Sequence, residues 1–427
     1  MTPPERRSKP DVSSLRGDDL SDWILSFQSD DAAEARHALE RWRATRSVPW
    51  MVAALRHDWR DDELLAAAAS VPTESPAYEI VSYYRLSREL DAGAKEAARG
   101  EIDRMLGRPL SKSTANLFRA LRMRAAPDLA GFLSFAARPP VMLTSTWNQG
   151  ETPDRGDADP VPSARGQLLF DRDSIKILNE RTPLRVLREA ALSGNVPRYS
   201  ERDFVLSAFT RALLLDDFEN GRPLSERLTA LGADRERYLE VYRAAADSLE
   251  RRFAGIFYVL HHPESRPYFA SGMGRWGNPG RIDNYRDNWW CPVDLAVDLD
   301  ARTNLSDWRQ DLPPRASADA PAWSAAFLSD ADRAQAKAEM AKLAATQSGP
   351  DYLLRETMRY ARAHPTDQRV PEALHYALRS QRYGCVREQT AEAAEQVWRY
   401  MWRLYPKSGW TRKSNYHFEP ANLPESH

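Results

Sequence analysis

Apolar residues between Asp351 and Pro406 recur every three or four positions, and the runs are bounded by proline or glycine. The stripes are Leu354, Met358 and Ala361; Leu374, Ala377 and Leu378; and Ala394, Val397, Trp398, Met401, Leu404 and Tyr405. Each run is too short and too one-sided to form a stable isolated helix. The pattern therefore predicts helices that lean on their neighbours in a stacked array.

The same spacing continues through the first third of the chain, with start and stop signals between the runs. Asp30 or Asp31 can cap one helix, and Ser75-Pro76 predicts the start of another that ends at Gly93. The clearest single helix is predicted over residues 234–262, where the apolar spacing is unbroken. We therefore predict an all-α fold.

Two stretches lack a sustained helical period, and the first of them is rich in Pro, Gly and Asp. They divide the chain into six predicted segments. These are a disordered N-terminus (1–16), N-terminal helical repeats (17–138), a linker or loop (139–166), a central helical segment (167–262), an irregular Trp- and Arg-rich insertion (263–322) and a C-terminal helical segment (323–427).

Within the second stretch, apolar residues alternate with polar and small ones over residues 293–299, which predicts a short edge strand. Asp294, Asp298 and Asp300 could collect a hard cation, but a calcium loop also needs Gly and a bidentate Glu at fixed positions. We interpret the aspartates as the solvated face of a strand. No metal site and no cofactor is predicted.

Small residues and prolines mark the last predicted hairpin, PEALHYALRSQRYG followed by AAEQVWRYMWRLYP. Ala394 allows two helices to cross closely, and Pro406 blocks continuation of the second one. Trp398 and Met401 fill the space beside the crossing. This stretch resembles a tetratricopeptide-type helical hairpin, and the resemblance implies an α-solenoid of helical-hairpin repeats, here with two long irregular insertions.

A weaker copy of this pattern lies in residues 77–110, with Gly93 at the turn, Ala98 at the crossing and Pro109 at the end. The hairpins also resemble the units of bacterial envelope helical-repeat proteins, such as outer-membrane assembly lipoproteins, and of uncharacterised bacterial helical-repeat proteins. The chain departs from the envelope proteins because it lacks regular repeat lengths and an export signal. Their localisation therefore does not carry over.

Charge and composition narrow the partner classes. The chain has 60 basic and 61 acidic side chains, a net charge of −1 and a pI near 6.7. This balance argues against whole-molecule attraction to nucleic acid or to anionic membranes. No run of apolar residues is long enough to span a membrane, so no membrane span is expected.

The polar N-terminus is not a signal peptide as written, which predicts a cytoplasmic protein, or a periplasmic or envelope protein if an export signal was removed. Cys291 and Cys385 fit no metal-ligand spacing. We expect them to be buried thiols rather than a disulfide, unless the protein is exported.

Residues 261–291 concentrate Arg and aromatic side chains in a segment without helical spacing, as recognition loops often do. We predict ligand or partner binding by Arg266, Tyr268, Arg275, Trp276, Tyr285, Trp289 and Trp290. In the alternative interpretation, Trp289 and Trp290 serve as core for an otherwise unsupported loop. The sequence favours this second interpretation.

Motifs of familiar enzyme classes are missing from the sequence. Residues 272–277 fit G-x-G-x-x-G, but a loop follows where a dinucleotide site needs a helix. His261-His262 could pair with Cys291 as base and nucleophile, but histidines facing a helix C-terminus explain them better. For His375 and Cys385 structural roles are also favoured, and no catalytic residue is predicted.

The sequence therefore leads to two main functional hypotheses. The first is a scaffold that binds a protein or peptide partner in a solenoid groove. The alternative is an enzyme or a carbohydrate- or nucleotide-binding protein whose site is built by residues 263–291. A nucleic-acid binder is the weakest hypothesis, because the near-neutral charge gives it little support.

Overall fold

The computed structural model describes residues 13–57, 61–145, 150–153, 166–272, 289–290, 323, 325–346, 348–383 and 388–414. Within these residues the chain forms nineteen α-helices, one 3-10 helix and four short strands. The prediction of an all-α fold is confirmed. The chain divides into two compact units, Met1–Ala125 and Ala126–His427.

The first unit begins with a 3-10 helix and continues with seven α-helices. Their bounds are 3-10 Ser13–Gly17, α1 Asp19–Gln28, α2 Ala32–Thr45, α3 Val48–Arg56, α4 Asp62–Ala69, α5 Tyr78–Asp91, α6 Lys95–Leu106 and α7 Lys112–Arg124.

The second unit contains the remaining helices and all four strands. The helices are α8 Leu129–Ala136, α9 Arg172–Glu180, α10 Leu184–Leu192, α11 Arg198–Leu215, α12 Phe218–Ala230, α13 Tyr238–Ala244, α14 Ser248–His261, α15 Asp330–Ala345, α16 Gly349–Ala363, α17 Val370–Tyr383, α18 Glu388–Leu404 and α19 Gly409–Lys413. The strands are β1 Ala137–Arg138, β2 Met142–Ser145, β3 Gly150–Pro153 and β4 Leu169–Phe170.

The strands form two small antiparallel pairs. β1 pairs with β4, with Ala137 opposite Phe170, and β2 pairs with β3, with Met142 opposite Pro153. The hairpin of β2 and β3 lies inside residues 139–166, where the sequence predicts a linker or loop. The edge strand predicted over residues 293–299 lies outside the described residues.

Capping residues begin or end several helices, and Asp31 and Gly93 do so where the sequence predicts it. Asp31 Oδ1 accepts a hydrogen bond from Ala33 N at 2.8 Å at the start of α2. Ser329 and Asp332 form a capping box at the start of α15. Gly93, with φ of 88°, ends α5 in the left-handed region that glycine adopts without steric cost.

The single helix predicted over residues 234–262 is two helices, α13 and α14. Ala245 leaves the helical conformation with a ψ of 132°. Asp247 then accepts a hydrogen bond from Glu250 N at 2.8 Å and starts a new helix. The prediction was wrong because the apolar spacing continues across the break. The Asp247 side chain caps the new helix and so ends the continuity that the spacing predicted.

Helix α12 was not predicted, because Pro223 lies in its interior and removes a backbone donor. Asp217 starts the helix by accepting a hydrogen bond from Asn220 N at 3.0 Å. Gly221 lets α12 approach α13 closely, since a Cβ there would lie 2.4 Å from Tyr242 Oη. Tertiary packing therefore outweighs the local cost of the proline.

Helix α3 is the centre of the first unit. Residues 50–55 are all buried, so the helix is covered on every face. It packs against α1, α2, α4 and α5, and α5 continues the row by packing against α7. Helices α1, α3, α5 and α7 therefore form a continuous row, with α2, α4 and α6 between them in sequence.

Helices α11 and α14 are the centre of the second unit. Residues 204–214 of α11 and 253–260 of α14 are buried on every face. α11 packs against α10, α12, α14 and α15, and α14 packs against α13, α16 and α17. Within the described residues, no helix has both the length and the apolar character that crossing a bilayer requires.

An ionic and aromatic network fastens α14 to the loop between α16 and α17. Phe253 and Tyr360 stack with centroids 3.7 Å apart, and Arg369 lies 2.7 Å from Glu250 and 2.5 Å from Asp367. Burial alone would raise the pKa of Asp367, but hydrogen bonds from Arg369 and Tyr360 lower it to about 2.

We expect His375 to make the docking of α19 depend on pH. Its Nδ1 lies 2.7 Å from Ser414 Oγ, and burial, with Arg379 and Lys413 nearby, lowers its pKa to about 4 from 6.5. The unfolded state then binds more protons, so stability falls as pH drops from about 6.5 to about 4. Hydrogen exchange of α17 and α19 measures this loss.

The matched variant is His375→Gln, which cannot titrate. Its exchange protection in α17 and α19 should change less than that of the wild type over the same pH interval. Equal pH dependence in the two proteins would contradict the assignment to His375.

Candidate functional site

Of the insertion that was predicted to carry a site, the structure describes residues 263–272 and 289–290. Four predicted site residues lie in these segments: Arg266, Tyr268, Trp289 and Trp290. The other features lie outside the described residues, namely Arg275, Trp276, Tyr285, Cys291, Asp294, Asp298, Asp300 and Cys385.

The tryptophan pair is buried, with 1% of Trp289 and 4% of Trp290 exposed. Trp289 Nε1 donates a hydrogen bond to the Val259 carbonyl of α14 at 3.1 Å, and the Trp290 carbonyl accepts one from Gly349 N at 2.7 Å. Arg266 Nε donates to the Trp289 carbonyl at 3.0 Å. This burial favours the core-forming interpretation of the pair.

Buried side chains of α9 and α11 hold the entry segment of the insertion. The Asn179 amide donates to the Phe269 carbonyl at 3.0 Å and accepts from Phe269 N at 2.9 Å. Ser207 Oγ donates to the Tyr268 carbonyl at 3.1 Å. The backbone around Tyr268 is therefore satisfied by side chains from the core, as a buried irregular segment requires.

Arg211 is a fully buried cation at the same place. Its Nε donates to the Pro267 carbonyl at 3.2 Å, and its Nη atoms donate to the carbonyls of Asn179 and Thr182 at 3.3 and 3.5 Å. Burial lowers the pKa of Arg211 to about 10. The guanidinium faces the C-terminal end of α9, where helix carbonyls favour positive charge.

A polar turn over residues 262–265 leads into the insertion. Ser265 N donates to the His262 carbonyl at 2.9 Å, and His262 Nδ1 donates to Glu264 Oε1 at 3.2 Å. Arg202 Nη2 donates to the same oxygen at 2.9 Å. Burial opposes ionisation of Glu264, but the hydrogen bond from His262 and the charge of Arg202 keep its pKa below the ordinary value.

Three atoms of this turn are buried without a hydrogen-bond partner in the described part of the chain: His262 Nε2, Glu264 Oε2 and Ser265 Oγ. An imidazole that is held by a carboxylate, as His262 is by Glu264, resembles the arrangement of a general base. Ser265 has no exposed surface, however, so a substrate cannot reach its hydroxyl. Buried polar atoms of this kind normally bind ordered water.

The neighbouring histidine has structural contacts. His261 Nδ1 lies 2.7 Å from the Phe257 carbonyl oxygen, and Nε2 lies 3.3 Å from Glu372 Oε1. Its ring also packs against Tyr238 and Tyr376. These contacts tie the end of α14 to α13 and α17.

A cleft of about 80 Å³ lies among α11, α12, α13 and α14. Its lining includes Asp216, Phe218, Ser248, Arg251 and Arg252. Pockets for sugars or nucleotides usually have volumes of about 300–1,000 Å³, so this cleft is too small for them. Within the described residues, no group of three or more His, Cys, Asp or Glu side chains could hold a metal ion.

Helix α1 in the first unit turns its polar side inward. The buried residues of α1 are Asp22 and Ser26, whereas 63% of Leu20 and 38% of Ile24 are exposed. The usual arrangement for a surface helix is the opposite, with apolar residues toward the core. Helix α1 therefore presents an apolar stripe to the outside of its unit.

The inward polar side is held by charge. Asp22 Oδ1 accepts from Arg16 at 2.7 Å, and Asp22 Oδ2 accepts from His37 Nε2 at 2.8 Å and lies 3.8 Å from Arg41 Nε. Ser26 Oγ lies 3.1 Å from Glu34 Oε2. Because rotation of α1 would break these pairs, its orientation is specified.

Two aromatic side chains of α1 lie between the exposed stripe and the core cluster around α3, against which they pack. Trp23 and Phe27 are half-buried and stack with centroids 4.9 Å apart. Trp23 Nε1 donates to the Pro49 carbonyl at 2.7 Å, which fixes the ring against the start of α3. With Leu20 and Ile24 they form one surface, which we call the α1 face.

The α1 face was not predicted from the sequence. Leu20, Trp23, Ile24 and Phe27 have helical spacing, and this spacing normally indicates a core-facing stripe. The signal for the inverted orientation is Asp22 within the same helix, together with the basic side chains that reach it. Those cations come from the preceding 3-10 helix and from α2, so only the tertiary structure reveals the pairing.

Comparison with known proteins adds no family to this description. No protein-family model, no curated protein and no solved structure matches the chain. The resemblance to tetratricopeptide hairpins therefore stays a prediction from the sequence.

We expect Gly349→Ala to destabilise the protein by about 1–3 kcal/mol, because overpacking a buried contact forces side chains from their positions. The new Cβ would lie 2.8 Å from Trp289 Cβ and 3.0 Å from the Trp290 ring. Gly409→Ala is the matched control, since Gly409 also begins a helix but has nothing within 4 Å. Equal unfolding midpoints in urea for the two variants would contradict the packing described for the tryptophans.

We expect Asp22→Asn to cost about 1–3 kcal/mol, because it leaves three basic groups around an uncharged amide. Asp103→Asn is the control, since Asp103 is exposed and pairs with Arg122 at 2.7 Å. Its cost should stay below about 1 kcal/mol. Urea unfolding measures both, and a control at least as destabilised as Asp22→Asn would show that the inward polar side does not hold α1.

Proposed function

We propose that the protein binds another protein or peptide, and that the α1 face is its contact surface. The observation that carries this proposal is the inverted orientation of α1, which buries Asp22 and exposes Leu20 and Ile24. Exposed apolar patches on a specified helix mark interaction sites. An oriented helix with its apolar side outward is suited to packing against a partner.

The energy available from this surface is modest. Complete burial of a Leu or Ile side chain contributes about 1.5–3 kcal/mol. Leu20 and Ile24 supply most of this contribution, because Trp23 and Phe27 already pack partly against the core of the first unit. The cost of association is subtracted from it. We infer a reversible interaction rather than a permanent complex.

We also propose that the first unit is a helical-repeat array of the tetratricopeptide kind. Supporting this, α1, α3, α5 and α7 start at residues 19, 48, 78 and 112, with spacings of 29, 30 and 34 residues. These helices pack in a row. Tetratricopeptide repeats have a similar period, and their arrays bind partners through an extended surface.

A recurring arginine contact supports the same proposal. Arg56 of α3 donates to the Ser29 carbonyl at the end of α1 at 2.8 Å, and Arg88 of α5 donates to the Arg56 carbonyl at 3.5 Å. Arg124 of α7 donates to Ser87 Oγ at 3.0 Å and pairs with Asp91 at the end of α5. Each arginine reaches the C-terminal end of the preceding helix of the row, where positive charge is favoured.

The alternative function, ligand binding or catalysis by residues 263–291, receives less support. The described tryptophans of that segment are buried, and so is the Ser265 hydroxyl in the turn at its start. Arg275, Trp276 and Tyr285 lie outside the described residues, so their part in a site stays a prediction. A partner-binding surface on the first unit accounts for more of the described side chains.

Photo-crosslinking tests the proposal. A benzophenone amino acid replaces Ile24 in one protein and Leu117, an exposed residue of α7, in the control. We expect products specific to position 24 in extracts of the cells that make the protein. An excess of wild-type protein should compete these products away, whereas the double variant Leu20→Ser, Ile24→Ser should compete at least about tenfold less well.

The variants should fold normally, because exposed substitutions usually change stability by less than about 0.5 kcal/mol. Circular dichroism and thermal unfolding check this. The proposal is wrong if position 24 gives no specific product, or if the serine variant competes as well as the wild type.

A further inference from the structure

We propose that the partner of the α1 face is a basic amphipathic helix. This inference rests on the proposed function and names the chemistry of its partner. Its evidence is the charge at the two ends of α1, which is independent of the apolar stripe itself.

Both ends of the α1 face are acidic. Asp18 and Asp19 lie at the start of α1, and Asp30 and Asp31 follow its end. All four are exposed, and Asp30 has 92% of its side chain accessible. The apolar stripe is therefore bracketed by carboxylates along the axis of the helix.

Nearby cations offset only part of this charge. Arg41 pairs with Asp19, and Arg56 lies 3.1 Å from Asp30. Arg16, the basic residue of the 3-10 helix that precedes α1, pairs with Asp22 and Glu34. Asp18 and Asp31 instead cap helices by accepting from backbone N–H groups. The rim keeps a net negative charge.

This charge argues against a second copy of the chain as the occupant. Two α1 faces packed antiparallel would place Asp18 and Asp19 of each copy beside Asp30 and Asp31 of the other. Parallel packing would bring the same aspartates together. Like charges brought together at an interface disfavour association, whereas opposite charges accelerate and orient it.

The geometry of α1 suits a helical partner. A helix of 10 residues is about 15 Å long, which corresponds to about three turns. A partner helix of similar length can place apolar residues at positions i, i+3 and i+4 against Leu20, Ile24 and Phe27. Lys or Arg at both of its ends would then lie near the aspartate pairs.

Two synthetic helical peptides test the inference. They share one Leu/Ile face and differ only in their ends, which carry Lys in one peptide and Glu in the other. Each peptide has a fluorescent label, and the full chain is titrated into it while anisotropy is measured. We expect the Lys peptide to bind at least about tenfold more tightly at low salt, with the difference collapsing near 0.5 M NaCl because exposed charges are screened.

Variants locate the binding on the α1 face. Ile24→Ser should weaken binding of the Lys peptide at least about tenfold. Asp30→Asn should weaken binding of the Lys peptide about two- to threefold and should not weaken binding of the Glu peptide. Asp330→Asn is the control, because Asp330 is fully exposed, pairs with an arginine at 2.5 Å and lies in the second unit. It should leave binding of both peptides unchanged.

Three results would overturn the inference: equal or tighter binding of the Glu peptide, binding of neither peptide at millimolar concentration, or unchanged binding of the Lys peptide to Ile24→Ser. If specific crosslinks form at position 24 and any of these results is also found, the α1 face is still supported as a partner surface. Only the proposal that the partner is a basic helix is then contradicted. Absence of those crosslinks would instead contradict the proposed partner-binding function.

Discussion

Short helices keep their structure only when neighbours cover their apolar sides, and every other feature of this protein depends on that constraint. Helices α3, α11 and α14 satisfy it most completely, since long runs of each are buried on every face. The surrounding helices then bury one side against these centres. Backbone groups compensate the buried polar side chains beneath the insertion, as they do for Arg211 and Asn179.

Helix α1 is the exception that gives the first unit a distinctive surface. A buried carboxylate is costly unless cations and hydrogen bonds compensate it, and Asp22 has both. Once Asp22 faces inward, the spacing of the helix carries Leu20 and Ile24 outward. A charge pair thus determines where apolar surface appears, and a partner-binding function follows from that placement as a proposal.

Much of the helical pattern was readable from the sequence, because caps and prolines act locally. Asp31, Ser329 and Gly93 begin or end helices where their residue types predict it. The break after Ala245 and the helix around Pro223 were missed, since local signals there compete with tertiary packing. The α1 face was missed for a related reason: apolar spacing identifies a stripe, but contacts elsewhere in the chain decide whether that stripe is covered.

The anchoring of the insertion has a consequence for changes in its length. Gly272 N is bonded to the Phe170 carbonyl at 2.8 Å, and Trp289 N to the Pro263 carbonyl at 2.8 Å, so both borders of residues 273–288 are tied to the scaffold. Lengthening a segment between tethered borders adds little entropic cost. An insertion between these borders would therefore add little to the entropy of closing the segment, because backbone hydrogen bonds hold Gly272 and Trp289 in place.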